Sequence, residues 1–302
     1  MSVDDYPNRS ITIIVPAPVG GPTDLLARII GDKLRGAFGY PSVVDNRPGA
    51  IGSIGAAAVA RAEPNGYTLL CTPSAPIVLS PLINKNLPYD ALSFEPIISL
   101  AQSFFVVAVR KEFPANSVAE FIAYAKANPK KVNYASGGSG SGSYLITLLL
   151  ARSAALEMVN IPYLGSAPSL QALVAGQVDL LIDSVGVLFP VYKAGLVKVL
   201  AITAAKRVSE LPGIPTLAEF GLGKDDLWSW YGVFAPPRTP ASIVARLNRA
   251  IDKSLALSEV RAGIEAMVLQ PTGGSQPAFV DFLARDRQRW EKIIKSANVQ
   301  QQ

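Results

Sequence analysis

Two stretches carry residue types and spacings that could do chemistry, and both would work through backbone and hydroxyl groups. The first is Val15-Pro16-Ala17-Pro18-Val19-Gly20-Gly21-Pro22-Thr23-Asp24, and the second is Ser136-Gly137-Gly138-Ser139-Gly140-Ser141-Gly142-Ser143. Glycines let a chain turn sharply and approach a ligand closely. The free N–H groups of a helix's first turn, with the positive end of its dipole, attract small anions. Pro22 suits a first helical position, where its missing N–H costs nothing. The hydroxyls of Ser136, Ser139 and Ser141, beside several glycine N–H groups, make a natural anion nest. Two plainer readings stand next to these: an ordinary βα turn for the first stretch, and a flexible linker for the second.

What is missing narrows the chemistry further. The 302-residue chain has no histidine and one cysteine, Cys71, which removes Ser-His-Asp and Cys-His arrangements, most zinc sites and any internal disulfide. Cys71 lies in the apolar run Tyr67 to Thr72 and reads as a small core residue. The second stretch fails the dinucleotide pattern, which would need glycine at Ser143, and the phosphate-loop pattern, which needs a following lysine. No nucleotide cofactor or metal is therefore expected. Residues 17 to 24, 136 to 144 and 163 to 168 hold no lysine or arginine, so a carboxylate bound there would be held by N–H groups, hydroxyls and water. Each such bond to a charged acceptor is worth about 1.5–3 kcal/mol.

The rest of the chain must position these loops. Half of it is hydrophobic (49%) and 17% is charged, the composition of a well-folded globular protein, and its length suggests two domains of about 150 residues. Net charge is +5, but the lysines and arginines are scattered, so a mild pull on anions is expected and a nucleic-acid partner is not. The longest apolar runs, such as Leu145 to Ala151, fall far short of the roughly 20 residues of a membrane helix. The start, Met1-Ser2-Val3-Asp4-Asp5, lacks the pattern of a signal peptide, which fits a cytosolic protein or the mature form of an exported one.

Periodicity gives an alternating order. Ile11 to Val15 is a strand; Leu26, Ile30, Leu34 and Phe38 recur at i+4 in the helix behind Pro22. A short strand at Pro41 to Val44, a helix at Ile54 to Ala62 and a strand at Tyr67 to Thr72 complete a βαβαβ unit, which calls for a parallel sheet. Glu95 to Leu100 and Phe104 to Val109 read as two β runs separated by Ala101-Gln102-Ser103, the second crossing into another domain. Helices at Ser117–Asn128, Tyr144–Ala155 and Ser166–Ala175 then alternate with strands at Lys131–Ala135, Val159–Pro162 and Val178–Asp183. A helix to Lys193, a strand at Lys198–Thr203, a loop-rich stretch from Leu211 to Gly223 and a returning strand at Trp228–Ala235 follow. Ile243, Leu247, Ile251 and Leu255 mark a long helix. A last helix buries Phe279, Leu283, Trp290 and Ile294 and leaves Arg285, Asp286, Arg287 and Arg289 in solvent.

Two acids stand where a site would be. Asp183 closes an apolar strand, as a site residue or as the N-cap of the next helix. Asp24, in a first helical turn, can complement the dipole and accept loop N–H bonds; an anion beside it is repelled unless those bonds occupy the carboxylate.

With these loops in place, the chain closely resembles the Bug-type solute receptors of tripartite tricarboxylate transporters. The likeness runs through Val15-Pro16 with Gly20-Gly21 and Asp24 to Arg28, Asn46-Arg47-Pro48-Gly49-Ala50, Gly52-Ser53-Ile54-Gly55, and Asn65-Gly66-Tyr67-Thr68-Leu69-Leu70. It continues through Leu87-Pro88-Tyr89-Asp90, Tyr134-Ala135-Ser136-Gly137, Pro162-Tyr163 with Gly165-Ser166-Ala167-Pro168, and Gly176-Gln177-Val178-Asp179. The resemblance implies an α/β, two-lobed periplasmic binding protein fold of type II, each lobe a mainly parallel sheet flanked by helices, with two crossing hinge strands. Residues 1–103 and 232–302 would form lobe 1 and residues 104–231 lobe 2.

It also implies an exported, monomeric receptor, its signal peptide removed, that closes on a small carboxylate and delivers it to membrane permease subunits without cofactor, metal or catalysis. By position, the ligand contacts would come from Ala17, Gly20, Gly21, Ser74, Ala75, Ser136, Gly137, Gly140, Ser141, Tyr163, Ser166, Ala167 and Asp183, with water bridges between them. The chain departs from the family pattern at Ala17, where Phe is common, at Ser143-Tyr144, where His is frequent, and at Leu164, where Lys is usual. These departures imply a carboxylate with an apolar body, aromatic or medium-chain. Two other classes stay open: an amidase-like Ser-Ser-Lys hydrolase, suggested by the Gly/Ser run, and a cytosolic ligand-sensing regulator, which should carry a nucleic-acid-binding segment.

Overall fold

A computed structural model describes residues 6–222 and 227–296. Met1 to Asp5, the Gly223 end of the expected loop and the last residues of the expected first lobe lie outside the described residues. The chain forms two compact units: one takes in residues up to Gln102 and Trp230–Ile293, the other Ser103–Ser229. It passes from the first to the second within one strand and returns within another.

The first unit opens with β1 (Ile11–Val15), α1 (Pro22–Phe38), β2 (Ser42–Asn46), α2 (Ser53–Ala60) and β3 (Thr68–Pro73). β1 pairs in parallel with β2 on one side and β3 on the other, so the three strands end at one edge. α1 begins at Pro22 and stops at Gly39, whose left-handed φ of 80° lets its N–H return to the Arg35 carbonyl. Its buried face repeats Leu26, Ile30 and Leu34, packed with Ile13, Val15 and Leu69 of the strands. Each such side chain, fully buried, contributes about 1.5–3 kcal/mol.

A helical turn (Ala75–Leu79) and the short α3 (Ser80–Ile83) lead into β4 (Glu95–Arg110), where sequence and structure differ. The two expected β runs are a single 16-residue strand. Ala101 and Ser103 are buried within it, and Ala101 and Gln102 pair with the two-residue β10 (Gln270–Pro271). A small residue and two polar ones in mid-strand look like a break locally, yet a distant segment supplies the ladder that keeps them extended.

The second unit continues with α4 (Val118–Ala127), β5 (Asn133–Ser136), α5 (Gly142–Ser153), β6 (Val159–Pro162), α6 (Ser166–Val174), β7 (Leu180–Ser184), α7 (Val185–Lys193) and β8 (Val197–Ile202). β5 lies between β6 and β7 and is parallel to both, whereas β4 runs antiparallel to β7 and β8. β9 (Trp228–Ala235) carries the chain back and pairs antiparallel with β3. Each unit is thus a mixed sheet whose parallel part bears the βα junctions.

α8 (Ala241–Leu255), α9 (Ser258–Glu265) and α10 (Gln276–Ser296) complete the first unit. α9 and β10 escaped sequence reading because both are too short to show a period. One expectation about α10 is corrected. Asp286 is buried at 4% exposure, where its carboxylate accepts the Trp230 Nε1–H across 2.8 Å and pairs with Arg289. An indole N–H enclosed by Phe234, Phe279 and Phe282 needs an acceptor, and Asp286 supplies it.

Candidate functional site

In the first unit the loop between β1 and α1 is shaped by a polar network. The Asp24 carboxylate, 1% exposed, accepts the Gly20 N–H at 2.9 Å, both Arg28 Nε–H and Nη2–H at 3.0 Å, and the Asn46 side-chain amide at 3.0 Å. Asn46 also donates to the Ala17 carbonyl at 3.1 Å. Burial pushes the Asp24 acid up, but the bonds from Arg28, Gly20 and Asn46 outweigh it and hold the group below the usual carboxylate range. Gly20 has a left-handed φ of 86° with nothing within 4 Å of where a side chain would start, while Gly21 is the extended residue before the helix. The Gly20 N–H is therefore spent on Asp24. A ligand would meet the backbone of residues 20 and 21 and the first-turn N–H groups of α1, which have no partner within the helix. Ser74 and Ala75 lie at the carboxyl end of β3, where the Ser74 carbonyl accepts from Ile77 and Val78. Ala17 is half-buried against the core of this unit.

In the second unit β7, β5 and β6 end together, and each runs on into a helix. Ser136 closes β5; its hydroxyl donates to Asn160 of β6 at 2.8 Å and accepts the Gly138 N–H at 3.3 Å. Ser141 is the N-cap of α5, its hydroxyl donating to the Gly138 carbonyl and accepting the Tyr144 N–H. Ser143 accepts the Gly137 N–H at 3.0 Å, and its hydroxyl lies 2.9 Å from that of Ser141. Ser136, Gly137, Gly140 and Ser141 are all buried. The nest expected of these hydroxyls is largely satisfied from within, so the run is a hydrogen-bonded crown and not a free linker.

The neighbouring junction is built the same way. The Tyr163 N–H donates to the Ser136 carbonyl, Gly165 has a φ of 108° before α6, and Ser166 and Ala167 are the first residues of that helix. Tyr163 and Ser166 are half-buried, whereas Ala167 is exposed and Leu164 is 89% exposed. Asp183 closes the apolar β7 at 7% exposure; its carboxylate accepts the Ser184 N–H at 2.7 Å and the Ser166 hydroxyl. Burial raises its pKa, and the bonds from Ser166 and Ser184 offset this only in part. The N-cap of α7 is Ser184.

Chemically this is equipment for binding. Loops without lysine or arginine offer helix dipoles and N–H groups to a small anion, and the Ser141 and Ser143 hydroxyls are engaged with the loop itself. Among the described residues no cluster of acids and cysteine could hold a metal ion.

A family model described as "Tripartite tricarboxylate transporter family receptor" (TctC) matches residues 26–299. The chain belongs to that family. It is 33% identical over 299 residues to protein BugT of Bordetella pertussis, covering 98% of this chain and 91% of that one. Among solved structures it is similar to Rpa4515 of R. palustris with adipate (35% identity, TM-score 0.93, 97% of this chain and 99% of that one) and to the periplasmic binding protein BugD (32%, 0.92, 98% and 100%). MatC of Rhodopseudomonas palustris with bound malate is similar as well (33%, 0.89, 96% and 100%). The fold is thus the two-lobed periplasmic binding protein fold.

Within this TctC receptor, sequence reading found the strand-to-helix junctions but not the side chains that stiffen them. Asn46, Ser143 and Asn160 were passed over as turn, loop and strand residues. Their signal was available in part: Asn46 and Asn160 stand at or near the ends of short strands, where a polar side chain reaches the loop of the strand alongside.

Proposed function

We propose that this TctC receptor works in the periplasm, where it captures a small carboxylate between its two lobes and hands it to the membrane permease of a tripartite tricarboxylate transporter. It acts as a monomer, without catalysis or cofactor. The observation that carries this reading is the crown of the second unit, where three parallel strands run into three helix N-termini and no lysine or arginine is present in the loops. Several dipoles aimed at one anion can hold it tightly while leaving it uncharged partners to depart from. The relatives that carry adipate and malate show that this architecture accepts carboxylates. In this chain the contacts would come from Ala17, Gly20, Gly21, Ser74 and Ala75 in the first unit. The second would supply Ser136, Gly137, Gly140, Ser141, Tyr163, Ser166, Ala167 and Asp183.

The exposed Leu164 and the short Ala17 side chain favour an acid with an apolar body, aromatic or medium-chain, over a compact polar one. The test is a thermal-shift screen of small carboxylates, joined to mass spectrometry of acids that co-purify with the protein. A tight carboxylate that raises the melting temperature is the expected result. No carboxylate hit, together with turnover of amide substrates, would replace the receptor by a hydrolase.

A further inference from the structure

The bond between Ser166 and Asp183 joins elements that are not neighbours in the sheet. Asp183 is the last residue but one of β7 and Ser166 opens the helix after β6, while β5 lies between those two strands. The pair meets because the start of α6 leans over the end of β5, with Gly165 beside Gly137, and packs against β7. The register places Ala135 opposite Leu181, and two residues on, Asp183 comes level with Gly137, the first residue of the glycine crown. A buried carboxyl group thus sits in the floor of loops that otherwise attract anions.

We propose that Asp183 is a specificity-determining residue, which admits the facing ligand group only with one proton between the two. An alcohol or amide brings its own proton, and a carboxylate must take one up from solvent. The inference rests on the receptor reading above and names which ligand ends it accepts. Two carboxylates in contact cannot both stay ionised in a buried site, whereas one shared proton turns repulsion into a short charge-assisted hydrogen bond. The Ser166 hydroxyl and both the N–H and the hydroxyl of Ser184 occupy three of the roughly four lone-pair positions of the carboxylate and leave one for a ligand.

No cation competes for this role among the described residues packed on β7. β4 carries Arg110, which lies at the far end of the ladder and is paired with Asp179. β5 carries Tyr134, α5 carries Tyr144 in its first turn and Arg152 in its last, α6 carries no titratable residue, and α7 carries Tyr192 and Lys193 at its end. The acid's raised pKa has burial as its main cause, and the same burial favours sharing a proton with a second carboxylate.

Calorimetry tests this with straight-chain diacids of four to eight carbons and the ω-hydroxy monoacid of each length. In wild type, diacid binding should take up about one proton, seen by comparing two buffers of different ionisation enthalpy. Diacid affinity should fall as pH rises from 5 to 9, approaching tenfold per unit at the alkaline end, while that of the matched hydroxy acid stays level. Asp183→Asn retains the acceptor for the Ser184 N–H and should flatten the diacid profile and abolish the uptake. Diacid binding without uptake and level with pH in wild type overturns the proposal and leaves the receptor reading standing, as does an Asn variant with an unchanged slope. If neither series binds, this inference falls, and the receptor reading falls with it only if the wider screen, aromatic carboxylates included, is empty as well.

Discussion

The Gly20 N–H donates to the Asp24 carboxylate across 2.9 Å, so the loop leading into the first helix is tied to that helix's own first turn. Three further bonds, two from Arg28 and one from Asn46, fill the carboxylate, and Asn46 passes the restraint on to Ala17. An acid beside a loop proposed to bind an anion is tolerable on these terms. Its charge is balanced by Arg28, and its lone pairs are spent on the loop.

This network should be visible in acid. The folded-state pKa of Asp24 lies below its unfolded value of about 3.9, so its contribution is complete above that value and lost as pH falls through the folded one. Asp24→Asn should cost about 1–3 kcal/mol at pH 7, because buried donors lose a charged acceptor. Urea unfolding between pH 7 and pH 3 should show a steeper loss for wild type than for the variant. Parallel curves would mean that Asp24 adds no charge-dependent stability.

Gly20 and Gly21 separate backbone strain from ligand access. A side chain at position 20 meets no atom within 4 Å, but φ there is 86°, so Gly20→Ala should cost about 1–2 kcal/mol through the backbone alone. At position 21 the nearest atom to a new Cβ is the Pro18 carbonyl oxygen at 3.8 Å and φ is −80°, so Gly21→Ala should leave stability within about 0.5 kcal/mol of wild type. Gly20→Val adds branched bulk where a ligand would approach. Its affinity for the screened carboxylate should drop by more than its stability does, and wild-type affinity in the folded variant would remove this loop from the site.

Ala17→Phe addresses ligand size. Ala17 is half-buried against the core, so a phenyl ring there must turn toward the loop opening or displace its neighbours. A bulky carboxylate should bind more weakly by about 1–3 kcal/mol if the ring enters its space. If malate proves the tightest ligand and is unaffected by the ring, the apolar-body reading is wrong.

The order of strands and helices, and the two glycine-rich junctions, were legible in the residues themselves. Hydrophobic period, Pro22 at a helix start and glycine at a helix end are local signals, and local signals survive without knowledge of the fold. The absence of histidine and of a cysteine pair excluded whole reaction classes by composition alone. The partners of the polar groups were not legible. Asn46 reaches Asp24 because β2 lies beside β1, Asn160 reaches Ser136 because β6 lies beside β5, and Ser166 reaches Asp183 across the end of β5. Strand order is a long-range choice, made by packing apolar faces, and no spacing along the chain encodes it. The same reason made β4 one strand, through its pairing with β10, and buried Asp286 beneath Trp230 instead of leaving it among its charged neighbours on α10. Sequence alone thus determined which groups could attract an anion; tertiary structure decided which of them are spent on each other.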